Sequence, residues 1–183
     1  ILKKIHLELI DIAEISKHRI IQAFNSKKKN KYEKSTNFLG LITRCKDEYF
    51  IKEFCDYYIN QGIDKIYIID DNSNNKSIYH SLKESLKITI IYETNIIKTN
   101  YANKLYQKIR DDFKWIIYVD VDEFITTKRN INKSIRNELL TTFKNADCIK
   151  IPWTMMSCKN INKSPKSILQ TNIYRWNHDK KHP

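Results

Sequence analysis

The stretch KWIIYVDVDEFI, Lys114 to Ile125, decides the fold. A run of β-formers, Trp115 to Val119, ends at three carboxylates: Asp120, Asp122 and Glu123. An apolar run this short describes a strand buried on both faces, where unpaired charge is costly. The acidic cluster is therefore expected where the strand emerges, at the carboxyl edge where open α/β sheets bind ligands. Asp120 and Asp122 share a side of an extended backbone. They offer the hard oxygen donors that Mg²⁺ or Mn²⁺ takes when it bridges to a phosphate.

Upstream of this strand the periodicity alternates. Phe38 to Thr43 reads as a short strand, and Asp47 to Asn60 as an amphipathic helix with Phe50, Phe54 and Tyr57 on one face. Acidic residues open that helix and Gly62 stops it. Lys65 to Ile69 is a second strand, ending in Asp70-Asp71-Asn72-Ser73. Ile78, Leu82 and Leu86 predict a helix over Ser77 to Leu86, and Ile88 to Tyr92 is a third strand. Tyr101, Leu105, Ile109 and Phe113 form the stripe of a helix leading into the opening stretch.

This succession predicts an α/β chain with a doubly wound, mostly parallel sheet in the order 3-2-1-4. The first and fourth strands are then neighbours. Three polar loops converge at their carboxyl edge: Arg44 to Glu48, Asp70-Asp71, and Asp120 to Asp122. Downstream, Ile135, Leu139, Leu140 and Phe143 suggest a helix, with strands at Cys148 to Ile151 and Ile168 to Trp176. At the other end, Ile5, Leu9, Ile12, Ile20 and Phe24 predict an N-terminal accessory helix, followed by a basic linker to Asn37. The division is thus residues 1–37 as accessory helix and linker, and 38–183 as the main domain.

With 183 residues, 41% of them hydrophobic, the chain can bury one substantial core. The net charge of +12 comes from lysine spread along the chain, and only Lys27 to Lys34 is a basic cluster. Without aromatic-basic interleaving, nucleic acid is not an expected partner. Cys45, Cys55, Cys148 and Cys158 form no CxxC pair, which predicts buried free thiols and a reducing, cytoplasmic setting. No apolar run is long enough for a transmembrane segment, and no signal peptide is visible.

Each motif alone has an ordinary explanation. Asp120-Val121-Asp122 holds a cation or is a solvated strand end. Asp70-Asp71-Asn72-Ser73-Asn74 contacts a base or ribose, or is an Asx-rich turn. Arg44-Cys45-Lys46-Asp47-Glu48 contacts a nucleotide, or caps the following helix. Asn100, Asn103 and Lys104 either touch a diphosphate or cap and solvate theirs. Trp153 stacks on a sugar or lies at the core rim.

Together and in this order, TRCKDEYFIKEFCDYYINQGIDKIYIIDDNSNN and KWIIYVDVDEFI resemble the nucleotide-binding half of a GT-A glycosyltransferase. The nearest types are family 2 and family 92. The resemblance runs from about Phe38 to Ile125 and rests on Arg44, Asp47, Glu48, Gly62, Ile63, Asp64, Asp71, Asn72, Ser73, Trp115, Asp120, Asp122, Glu123 and Phe124.

It implies a nucleotide-sugar donor of UDP-sugar type, Mn²⁺ or Mg²⁺ as cofactor, and transfer with inversion to a glycan, protein or lipid hydroxyl. By the same analogy Asp122 is the metal ligand and Asp120 contacts ribose or metal. Asp70 or Asp71 holds the base, and Arg44 and Glu48 line the nucleoside pocket. Such enzymes carry their catalytic base and acceptor site well after the DxD motif. Asp179 is the candidate base here, with His178 as a late ligand, and part of the acceptor half is expected to be missing.

Two other classes compete. A non-catalytic nucleotide-sugar-binding module would share the same motifs. A haloacid-dehalogenase-type phosphatase would use Asp120 as nucleophile, but on the first strand of its domain. Gly40 and Gly62 are the only glycines, so no dinucleotide fingerprint exists.

Overall fold

The computed structural model describes the backbone of residues 2–7, together with 35–94, 100–127, 132–158 and 165–175, the side chain of Trp153 excepted. Four strands form an all-parallel sheet: β2 (Asn37–Cys45), β3 (Lys65–Asp71), β4 (Ile88–Glu93) and β5 (Phe113–Tyr118). Their spatial order is β4-β3-β2-β5, the 3-2-1-4 arrangement expected of the first four strands of the domain.

The central strand β2 is buried almost throughout, because both faces of the sheet are covered. On one face Leu39, Leu41, Ile66 and Ile68 pack against α1 (Ile51–Asn60), through its Ile51, Phe54, Cys55 and Tyr58. On the other, Ile42, Ile69 and Phe113 meet Leu105 and Ile109 of α2 (Tyr101–Ile109). The architecture is α/β with a parallel sheet flanked by helices, compatible with a Rossmann-like fold.

Several elements differ from expectation. α1 starts at Ile51 and not Asp47, because Asp47 sits at φ 54, a left-handed conformation no helix accepts. Ser77 to Leu86 is not an α-helix; a 3₁₀ helix spans Lys76–Leu82, with the Asn75 side chain accepting from the Ser77 N–H at 3.0 Å. Residues three apart then share a face, so Tyr79 and Leu82 are buried while Leu86 is 93% exposed. The strand expected at Cys148 to Ile151 forms instead at β7 (Trp153–Ser157), just beyond Pro152, which lacks an N–H for a ladder. Ile168 to Trp176 contains a short helix, α4 (Ile168–Thr171), and a two-residue strand, β8 (Tyr174–Arg175). Ser167 Oγ caps α4 from its N-terminus by accepting the Gln170 N–H at 3.1 Å.

Within Lys114 to Ile125 the strand ends before the carboxylates, as expected, but Asp120 to Asp122 turn and do not continue as extended backbone. β5 stops at Tyr118, the chain turns, and β6 (Glu123–Thr127) joins a second sheet, ordered β6-β1-β7-β8. In that sheet β1 (Leu2–Leu7) runs parallel to β6 and antiparallel to β7. A strand thus replaces the opening of the expected accessory helix, and the rest of that helix lies outside the described residues. α3 (Ile135–Leu140) follows β6, shorter than its apolar stripe suggested because Phe143 lies beyond its last turn.

All four cysteines are free; Cys45 and Cys55 are buried as expected, whereas Cys148 is exposed and Cys158 half-buried. Burial pushes the Cys45 thiol up to about 11 and the Cys55 thiol up to about 12, so both are inert. No helix among the described residues is long and apolar enough to cross a membrane.

Candidate functional site

The β5–β6 turn is built from its flanks. Val119 donates its N–H to the Ile42 carbonyl at 3.3 Å, the last tie to the main sheet. The Glu123 N–H then donates to the Asp120 carbonyl at 3.0 Å, and the Glu123 carboxylate accepts the Asp120 N–H at 3.1 Å. Glu123 is therefore a structural carboxylate, 6% exposed, that closes the turn on itself.

Phe124 anchors the far side among Phe54, Tyr57 and Tyr58 of α1, with ring centroids 5.9, 5.2 and 6.3 Å away. Tyr58 Oη donates to the Glu123 carbonyl at 2.9 Å and accepts the Ile125 N–H at 3.1 Å. Burial drives its phenol far above the usual range, so this bridge persists at any ordinary pH. Asp120 and Asp122 are left half-buried in the turn, fixed by residues that α1 supplies.

The loop after β2 comes to the same place. Burial, and then the Asp122 carboxylate, push the Glu48 carboxyl up, which puts Glu48 within electrostatic reach of Asp122. Burial and the Asp120 carboxylate likewise raise Tyr118, while Arg44 acts in the opposite sense. Arg44, Glu48, Asp120 and Asp122 thus gather where β2 and β5 end side by side.

The third loop is stitched to the first. Asp47 accepts the Asn74 amide at 2.9 Å and the Asn75 N–H at 3.0 Å; these bonds, the Asn75 N–H foremost, hold its carboxyl below the usual range. The Asp47 N–H donates to Ser73 Oγ at 3.0 Å. Tyr79 Oη donates to Asp70 Oδ1 at 2.6 Å and lies 3.3 Å from Ser73 Oγ. Tyr79 has one proton and Asp70 takes it, so the Ser73 hydroxyl must donate to Tyr79. A directed chain results: Asp47 N–H to Ser73, Ser73 to Tyr79, Tyr79 to Asp70.

Of the two expected base contacts, Asp70 is 0% exposed and spends its oxygens on Tyr79 and the Ser73 N–H. A nucleotide cannot reach it here. Asp71 is half-buried at the strand tip, opposite Glu93 of β4, and is the accessible one. Asn100, Asn103 and Lys104 are exposed in and just before the first turn of α2, where the Asn100 carbonyl, not its side chain, accepts the Asn103 and Lys104 N–H groups. Asp179 and His178 lie outside the described residues, as does the side chain of Trp153.

The donor set suits a cation held jointly with a ligand. Among the described residues no three His, Cys, Asp or Glu side chains could by themselves hold a metal. Mg²⁺ and Mn²⁺ commonly bind through one or two carboxylates plus substrate phosphates and water, and Asp122, with Glu48 in electrostatic reach, would be the residues to supply them.

Sequence reasoning missed Tyr79 and Tyr58, whose hydroxyls order two of the three loops. Tyr79 fell off an assumed α-helical stripe that a 3₁₀ period would have included. No family model and no curated protein matches this chain.

Proposed function

We propose that this chain binds a nucleotide-sugar donor, of UDP-sugar type, through a divalent cation at Asp122 and transfers the sugar to an acceptor hydroxyl. The observation that carries the reading is the convergence of Arg44, Glu48, Asp120 and Asp122 where the adjacent strands β2 and β5 end. Two carboxylates at a sheet edge suit a dication, and an arginine beside them suits the phosphate or ribose it carries. The GT-A resemblance of the same residues points the same way.

On this reading Asp122 holds the Mn²⁺ or Mg²⁺ and Asp120 orients ribose or completes the cation's shell. Arg44 and Glu48 line the nucleoside pocket, and Asp71 accepts from base or ribose. The cation supplies stabilisation of negative charge on the departing diphosphate. The stitched Asp47–Asn74–Asn75 loops keep the nucleoside side rigid, so little ordering is needed on binding.

The test is thermal unfolding with UDP, with Mn²⁺, with both, and after EDTA. A ligand bound only by the folded state raises the midpoint. The two together are expected to raise it beyond the sum of their separate effects, with the gain lost on chelation and in Asp122→Asn. No shift in the wild-type chain, or an equal shift in Asp122→Asn, would overturn the proposal. Metal-dependent hydrolysis of a UDP-sugar panel then separates an enzyme from a binding module, since only the former releases free sugar.

A further inference from the structure

The sheet divides the candidate site into two halves, and Tyr118 stands in one of them. Side chains alternate between the faces of a strand, which assigns each residue to a side. Leu41 and Ile117 pack into the core under α1, whereas Ile42 and Ile116 pack into the core under α2. Arg44 and Tyr118, two residues beyond Ile42 and Ile116, therefore stand on the α2 face. Asp71, two residues beyond Ile69, stands there too. The cation end lies on the opposite side. Val119, Val121 and Phe124 join the core under α1, and Glu48 leads into α1 itself.

Tyr118 is in register with Ile42, so Arg44 is its diagonal neighbour on the same face. Strand spacing and rise put their Cα atoms about 8 Å apart, within reach of two long side chains. Besides burial, the phenol feels the Asp120 carboxylate and the Arg44 guanidinium, so the ring leans towards the carboxyl edge. Ile116 is packed against the α2 cluster, but Tyr118, one step past that cover, is 54% exposed. An open aromatic face thus stands at the ligand edge, beside an arginine and a carboxylate.

Such a face takes either a flat base or the apolar side of a sugar ring. Position decides between them. The transferred sugar hangs from the diphosphate beyond the cation, on the α1 side. The base lies at the other end of the nucleotide, on the α2 side with Arg44 and Asp71. Arg44 offers only donors and ionised Asp71 only acceptors, so the two suit the edge of a base. Neither supports its face, and Tyr118 does.

We propose that Tyr118 is the platform on which the nucleobase of the donor stacks. The assignment rests on the nucleotide-sugar reading and deepens it. The strand that leads to Asp120 and Asp122 would then grip both ends of the nucleotide, the base by its last ring and the diphosphate through the turn that follows.

The test is isothermal titration calorimetry in the presence of Mn²⁺. UDP, UDP-glucose and inorganic pyrophosphate are titrated into the native chain, Tyr118→Ala and Tyr118→Phe. Tyr118→Ala is expected to weaken UDP about tenfold, the scale of one lost base–aromatic stack, and to leave pyrophosphate binding as it is in the native chain. Tyr118→Phe keeps the ring and is expected to bind UDP nearly as the native chain does. Circular dichroism melts check that both variants fold.

UDP binding untouched by Tyr118→Ala would overturn the assignment and leave the donor reading standing. An equal loss of UDP and pyrophosphate would overturn it too, since the residue would then act on the cation end. So would a Tyr118→Phe loss as large as that of alanine, which would point to the hydroxyl. That comparison decides even where pyrophosphate binds too weakly to measure. A loss confined to UDP-glucose would place the ring beneath the sugar and overturn the assignment as well. A native chain that binds no UDP would overturn both the assignment and the donor reading.

Discussion

Tyr79→Phe isolates one atom whose role is stated by the geometry. The hydroxyl donates at 2.6 Å to Asp70, a carboxyl with 0% exposure, and receives from Ser73 at 3.3 Å. Removing it leaves no room for water but strips the carboxyl of its shortest bond. Only the Ser73 N–H remains, at 3.2 and 3.3 Å from the two oxygens. A hydrogen bond to a charged group contributes roughly 1.5–3 kcal/mol, and a buried acceptor left short of partners costs in the same range. The ring still fills its site, so no cavity term is added. The expected loss is therefore about 2 kcal/mol, a midpoint about 4–8 °C lower for a chain of this size. Urea unfolding followed by tryptophan fluorescence and by circular dichroism measures it. The double variant with Asp70→Asn closes a cycle, in which the coupling should exceed about 1 kcal/mol. A Tyr79→Phe loss below about 0.5 kcal/mol, within the scatter of surface substitutions, would refute the directed chain.

Two further outcomes follow from the same structure. Gly62→Ala is expected to cost about 3 kcal/mol or more: φ is 91, and a Cβ would meet Arg136 Cβ at 2.6 Å, displacing an arginine that donates to Gly62 O and Asp64 at 2.8 Å each. Denaturant unfolding checks it, and a neutral result would show that the Arg136 clamp is not formed. For Asp64, burial raises the carboxyl, but the Leu39 and Phe38 N–H groups and Arg136 together overcome it, so its pKa in the fold is lowered. A depressed acid contributes stability above its unfolded value and loses it as pH falls through the folded value. Arg136→Met should therefore lower stability at neutral pH and flatten its fall below about pH 4; an unchanged acid limb in pH-dependent urea melts would contradict this.

The strands were legible because burial on both faces writes a continuous apolar run, as in Leu39–Ile42 and Ile66–Ile69. Their order followed from the crossover rule, and so did the meeting of the Arg44–Glu48 and Asp120–Asp122 loops. Helix starts were not legible. Asp47 looks like an N-cap, yet its carboxylate reaches Asn74 and Asn75, residues 27 and 28 positions away. No local pattern encodes such a partner. Asp70 and Asp71 are chemically identical in sequence, and only the alternation of β3 sends the first inward to Tyr79 and leaves the second at the surface. The end of the strand at the carboxylates was legible; the turn after it was not, because Glu123 bonds back to Asp120 within a stretch that reads as extended backbone.

These corrections change how the proposed site must be understood. Its two walls do not stand independently: α1 holds the β5–β6 turn through Phe54, Tyr57 and Tyr58, and its own leading loop carries Glu48. Glu48 and Asp122 are thus placed near each other by a rigid body, not by mutual attraction. Like charges so held lower the stability of the fold, a cost that the aromatic anchor around Phe124 offsets. On the proposed reading a dication turns that repulsion into binding free energy without moving the frame. Truncating Phe124 should then weaken cation binding although Phe124 touches no cation, because the turn could relax and let the carboxylates part.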